Sequence, residues 1–226
     1  MDRQEYSNFI VQEIESNLGD SYQVEADKII SGEFILKMIS KNSALRLVIK
    51  FRLSKDGMAP SGIAPLIYIN RLESFIKPIV LIHGLDYSLE NEHSIVYSTS
   101  NKALYGEITR KEHGDIELKN LSAEYLTSNI IPFFKSRSTI EGLGDYVLQH
   151  DFDNIINIGL GGEYPVNVLK AITIAKWCGN ETKYQEYTKG LQVWIDEDRN
   201  DPNYAKMCDA YQGALDELKS KLESQT

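Results

Sequence analysis

Few residues in this chain have side chains able to do bond-making chemistry, and they are scattered. Its histidines are His83, His93, His113 and His150. His83 and His93 flank Asp86, Glu90 and Glu92. A loop holding these five could gather imidazole and carboxylate around a divalent ion, the donor set of a metal-dependent hydrolase or nuclease. No H-E-x-x-H occurs, and no two histidines are spaced to share one helical face. Cys178 and Cys208 form no C-x-x-C pair, which argues against a zinc ribbon or a dithiol redox motif. Cys178, beside Trp177, reads as a small core residue. Gly159-Leu160-Gly161-Gly162 lacks the Lys and Ser or Thr of a phosphate-binding loop, and Tyr164 stands where a dinucleotide fingerprint needs its third glycine. It reads as a turn before a helix opened by Pro165. Asp196, Asp198 and Asn200 mimic the start of a calcium loop, but Asp201 replaces the required glycine and Met207 the closing glutamate. Asp201-Pro202 fits a helix N-cap followed by proline instead. Asp151 and Asp153 could act as an acid–base pair or hold magnesium, yet nothing nearby in sequence partners them.

The elements that would position these groups change character along the chain. Tyr6, Phe9, Ile10, Ile14 and Leu18 recur at helical spacing, and Gly19 stops the run. Residues 34–39 then alternate, Ser40-Lys41-Asn42-Ser43 makes a turn, and Leu45, Leu47, Ile49, Phe51 and Leu53 line one side of a strand. Arg46, Lys50 and Arg52 line its other side, a half-wet sheet face. The composition of Ser54–Gly62 reads as a loop, and Leu66–Asn70 as a third extended run. Leu72–Ile82 stays ambiguous because Pro78 disfavours both a helix interior and a central strand. Ser94–Thr99 reads as a strand, while Leu104–Thr109 fits either strand or helix.

From about residue 120 the period is helical. Ser122 is a candidate N-cap, and Ser138 and Thr139 can both cap a helix running to Gln149, with Glu141 three residues after Ser138 completing a capping box. Val168, Leu169, Ile172 and Ala175 mark a helix ended by Gly179, with two more at Glu181–Ile195 and Tyr204–Leu222. Strands followed by helices predict an α+β fold: an N-terminal helix, an antiparallel sheet of about four to five strands, and a C-terminal helical region. Residues 1–226 are expected to form one domain, with 1–115 as helix plus sheet and 116–226 as a helical subdomain packed on it. Arg110–Asp115 is the one polar segment resembling a boundary.

The chain has 226 residues, 24 basic and 33 acidic side chains, and net charge −9. That balance disfavours loose binding to nucleic acid or anionic lipid, which needs clustered cations, and suits a basic protein partner. Lys28–Lys55 is the exception, with seven basic residues against Glu33 alone. This stretch makes Arg46, Lys50 and Arg52 the candidate surface of an RNA-binding accessory protein, although no aromatic residue is interleaved on that face. No run approaches the ~20 apolar residues of a membrane span. MDRQEYSNFI has no apolar core for a signal peptide, and two cysteines make no disulfide framework, so a cytoplasmic location is expected.

The N-terminal helix, the Leu45–Leu53 strand, Pro65-Leu66-Ile67-Tyr68-Ile69-Asn70 and Ile130-Ile131-Pro132-Phe133-Phe134 before a helical tail together resemble uncharacterised bacterial α+β domains of the toxin-immunity type. The resemblance spans most of the chain and transfers no catalytic residue. It implies a non-enzymatic protein that binds and neutralises a basic toxin, without a cofactor. Glu90, Glu92, Asp196 and Asp198 are the expected contact residues by charge.

Overall fold

Alternation of two decides the first half of the molecule. In the computed structural model, which describes residues 2–18, 22–26, 33–54, 57–87, 93–98, 101–202 and 204–224, a five-stranded antiparallel sheet runs in the order β1-β2-β3-β4-β5. The strands are β1 (Gln23–Ala26), β2 (Glu33–Ile39), β3 (Ser43–Ser54), β4 (Gly57–Ile69) and β5 (Ile95–Val96). Register pairs Leu36 with Leu47 and Met38 with Leu45, so all four fall on one side and are fully buried. Each such side chain stabilises the fold by roughly 1.5–3 kcal/mol. Ser40 closes the β2–β3 turn, its main-chain N–H donating to Ser43 O at 2.9 Å and its Oγ accepting from Ser43 N at 3.1 Å.

Helices complete the element list: α1 (Arg3–Leu18), α2 (Asn70–Ile82), α3 (Lys102–Arg110), α4 (Asp115–Tyr125), α5 (Ile131–Arg137), α6 (Ile140–Val147), α7 (Val166–Trp177), α8 (Glu181–Asp198) and α9 (Ala205–Glu223). A π-helical turn at Leu126–Ile130 joins α4 to α5. The described residues group into two compact units. The first comprises Met1–Ile67 and Val96–Ser138, the second Tyr68–Ile95 and Thr139–Thr226.

In the first unit α1 starts with a reciprocal cap: Glu5 N donates to Asp2 Oδ1 at 2.8 Å, and Asp2 N to Glu5 Oε2 at 3.0 Å. Tyr6, Ile10, Ile14 and Leu18 form its buried stripe. The Tyr6 ring meets Phe51 of β3 edge-on at 6.0 Å, and its hydroxyl pairs with Ser122 Oγ of α4 at 2.8 Å. Ser122 is therefore a buried mid-helix contact and not an N-cap, since α4 begins at Asp115.

The second unit is built around α7. Ten of its twelve residues are buried, Val166 through Ala175, because α2, α6, α8 and α9 all pack on it. A helix enclosed on every side needs no polar face. Of the two expected caps, Thr139 is the one that caps α6, accepting from Gly142 N at 3.1 Å. Asn180 caps α8 by accepting from Lys183 N at 3.0 Å, and Gly179 just before it supplies the positive φ of 69° that ends α7.

Other expectations change once the chain is folded. Of the loop expected at Ser54–Gly62, residues 57–62 belong to β4, where sheet pairing overrides turn composition, and residues 55 and 56 lie outside the described residues. Leu72–Ile82 is a helix that retains Pro78, and Leu104–Thr109 lies in α3. Of the strand expected at 94–99, Ile95–Val96 form β5, and residue 99 lies outside the described residues. Asp201 does not cap a helix with Pro202 at its first position. It begins a turn in which Tyr204 N and Ala205 N both donate to its carbonyl, and regular α9 starts after it. Gly19 lies outside the described residues.

Candidate functional site

The densest polar constellation lies inside the second unit, on residues that no motif marks. The buried stripe of α2 consists of Leu72, Glu73, Ile76, Ile79 and Val80, so its spacing carries a carboxylate inward. The sequence VNVLKAITIAKW of α7 likewise carries Lys170 into the core. Glu73 Oε2 and Lys170 Nζ lie 2.8 Å apart, and neither side chain has any solvent exposure. Two unpaired charges cannot stay in that medium, and this pair is heavily supported. The Tyr87 hydroxyl donates to Glu73 Oε2, and Ser94 Oγ donates to Oε1 at 2.6 Å. Ser94 Oγ in turn accepts from Ile69 N at 2.8 Å. Lys170 Nζ also donates to His93 O at 2.7 Å and lies 5.4 Å from the Tyr87 ring centroid.

This network ties the end of β4, α2, α7 and the stretch around Tyr87 and His93–Ser94 to one another. Its groups have the identities of a general acid, a base and a phenol, but the carboxylate and ammonium are sealed from solvent. Chemically it is an internal clasp. Sequence reading missed it, although a single lysine in an otherwise apolar helix is a signal: such a cation needs a counter-charge.

The candidate metal residues are placed in separate tasks. His83 ends α2, and its Nε2 lies 2.9 Å from Glu217 Oε2 on α9. Lys221 and His83 together hold the Glu217 carboxyl below the usual carboxylate range, with the Lys221 bond the larger cause. The His83 ring also packs over Gly213, where an added Cβ would stand 2.6 Å from Nδ1. His93 contributes its carbonyl to Lys170 and packs against Gly161, whose missing Cβ would fall 1.7 Å from that carbonyl oxygen. Gly161 thus permits the close approach of residue 93, Gly159 and Gly162 take positive φ of 82° and 93°, and Leu160 bridges Ile95. Among the described residues no group of three or more His, Cys, Asp or Glu is placed to hold a metal ion.

On the sheet face, Arg46 is exposed and paired in register with Lys37. Lys50 meets Glu33 at 3.1 Å, and Arg52 donates to Lys111 O at 3.2 Å. Tyr105 of α3 reaches this face, its hydroxyl accepting from Ile63 N at 3.4 Å, so an aromatic does lie near Lys50 and Gly62. Glu90 and Glu92 lie outside the described residues. Asp196 and Asp198 are exposed at the C-terminal end of α8. Asp151 is paired with Lys183 at 3.0 Å.

Two open clefts lie on the second unit. One, about 680 Å³, is lined by Glu141, Asp145, Glu181 and Cys178 among others. Burial first, then the Glu141 and Asp145 carboxylates, push the Cys178 thiol up, which opposes nucleophilic use. Its Sγ fits over Gly144, where a Cβ would stand 2.4 Å away. The other, about 590 Å³, is lined by Arg71, Ser74, Phe75 and Trp177, with the Arg71 guanidinium 4.2 Å from the Trp177 ring centroid. Among the described residues no helix is long and apolar enough to cross a membrane. Compared with known proteins, the chain matches no family model, no curated protein and no solved structure.

Proposed function

We propose that this chain acts by binding another protein, that the partner is basic, and that the binding neutralises a toxin in the manner of an immunity protein. One observation supports this reading above the others: the composition at the turn end of the α8–α9 hairpin. Val193, Tyr204 and Met207 are 42%, 48% and 46% exposed there. They lie close in sequence to Asp196, Glu197 and Asp198, all exposed and, among the described residues, without an ion-pair partner. Tyrosine and methionine are enriched in interface cores. These three exposed carboxylates, of which Asp196 accepts from Gln192 Nε2 at 3.1 Å, would steer a cationic surface inward. The sealed Glu73–Lys170 clasp offers a reactant no route, which favours recognition over catalysis.

The experiment is affinity capture by the intact chain from its native host, repeated with an Asp196→Lys, Glu197→Lys, Asp198→Lys variant. The expected product is a stoichiometric basic polypeptide, retained by the wild type and lost by the variant. Its association rate should fall by about tenfold or more at low salt when the charges are reversed. A captured polypeptide that binds the reversed variant equally well refutes the proposed surface. Turnover of a small molecule that survives in the variant refutes the binding reading itself.

A further inference from the structure

The corner between α3 and α4 is built around an imidazole with both nitrogens aimed at acceptors. His113 has a side chain only 7% exposed. Its Nε2 lies 3.0 Å from the main-chain oxygen of Glu107, in the last turn of α3. Its Nδ1 lies 3.2 Å from Glu117 Oε2, in the first turn of α4. A carbonyl and an ionised carboxylate only accept, so a ring with one N–H satisfies one of them and points a lone pair at the other. A ring with two satisfies both.

The surrounding charges are already committed in part. On α3 the Glu107 carboxylate takes Lys111 Nζ at 2.6 Å, and Arg110 stands in the same last turn. From β3, Arg52 reaches Lys111 O at 3.2 Å. Glu112 follows in the connection, and Asp115 opens α4. Glu117 is 64% exposed, so it can turn to water, whereas the Glu107 carbonyl is fixed in its helix.

We propose that His113 is a proton-operated clamp on this corner. With both nitrogens protonated it ties the carbonyl end of α3 to Glu117. After losing the Nδ1 proton it keeps the carbonyl and releases the carboxylate. Glu117 lines an open groove of about 710 Å³ with Gly114, Asp115, Ile116, Asn120 and Leu121, and Ile116 is 79% exposed. Release therefore delivers an untethered negative charge to the wall of an apolar groove.

Long-range proton–nitrogen NMR of the full chain, recorded over a series from acid to alkaline pH, tests this. The expected result is two protonated ring nitrogens in acid and an Nε2–H tautomer in base. Amide exchange over residues 111–118, corrected for intrinsic rates, should be about three- to fivefold faster on the alkaline side. Glu117→Gln, which can donate to a bare Nδ1, should remove that pH dependence, and so should His113→Asn. An Nδ1–H tautomer in base, or a pH dependence that survives Glu117→Gln, overturns the proposal.

Discussion

Removing one half of the Glu73–Lys170 clasp should cost far more than neutralising both halves together. At 2.8 Å and an effective dielectric of about 20, the two charges attract by about 6 kcal/mol, and each ion's desolvation opposes this by several kcal/mol. The intact pair therefore contributes little net stability. Lys170→Met keeps the volume but leaves the Glu73 carboxylate buried with only the Tyr87 and Ser94 hydroxyls, an expected loss of about 3–5 kcal/mol. In Glu73→Gln with Lys170→Met no charge remains, and the amide can still engage both hydroxyls, so the loss should be about 1–2 kcal/mol. Calorimetric or far-UV melts read the difference as roughly 6–20 °C for the single variant and a few degrees for the double. A double-mutant cycle should return a coupling of about 2 kcal/mol or more. If the double variant melts no higher than Lys170→Met, the cost came from packing and not from a stranded charge, and the reasoning fails.

Gly161→Ala places a Cβ on the His93 carbonyl oxygen and should destabilise by about 3 kcal/mol, at the upper limit of overpacking costs, measured as a shifted urea midpoint. Gly213→Ala should destabilise the wild type, where it displaces the His83 ring, yet stabilise a His83→Ala background by up to about 1 kcal/mol through helix propensity. Burial pushes the Tyr6 phenol up to about 12 against an ordinary 10.0. The unfolded chain ionises first, so stability that is complete below pH 10.0 should be lost as pH climbs towards 12, and Tyr6→Phe should flatten that decline. The Glu217 carboxyl is lowered from 4.5, so its contribution is present above that pH and lost as acid protonates it, and Glu217→Gln should shrink the acid-side decline in melting temperature.

Local periodicity carried much of the architecture. The β3 pattern placed Leu45, Leu47 and Ile49 in the core because register and pleat share a period of two. It misplaced Leu53, which is 85% exposed, because the described pairing with β2 ends at Glu33 opposite Lys50. Tertiary packing overrode local chemistry elsewhere: the loop signal over residues 57–62 yielded to sheet pairing, and Ser122 yielded to Tyr6. The clasp was half legible. Lys170 announces that it needs an anion, but which of 33 acids answers depends on how α2 meets α7. His83 finds Glu217 at a separation of 134 positions, and no spacing rule reaches that far.

The interleaving of the two units bears on synthesis. A nascent chain that has just emerged through Ser138 already contains every segment of the first unit. At that moment α2 has been made but Lys170 has not, so the Glu73 carboxylate must wait in water. The last ion pair of the clasp can close only after translation has carried α7 clear of the ribosome, and desolvation of that glutamate therefore belongs to a late act of folding.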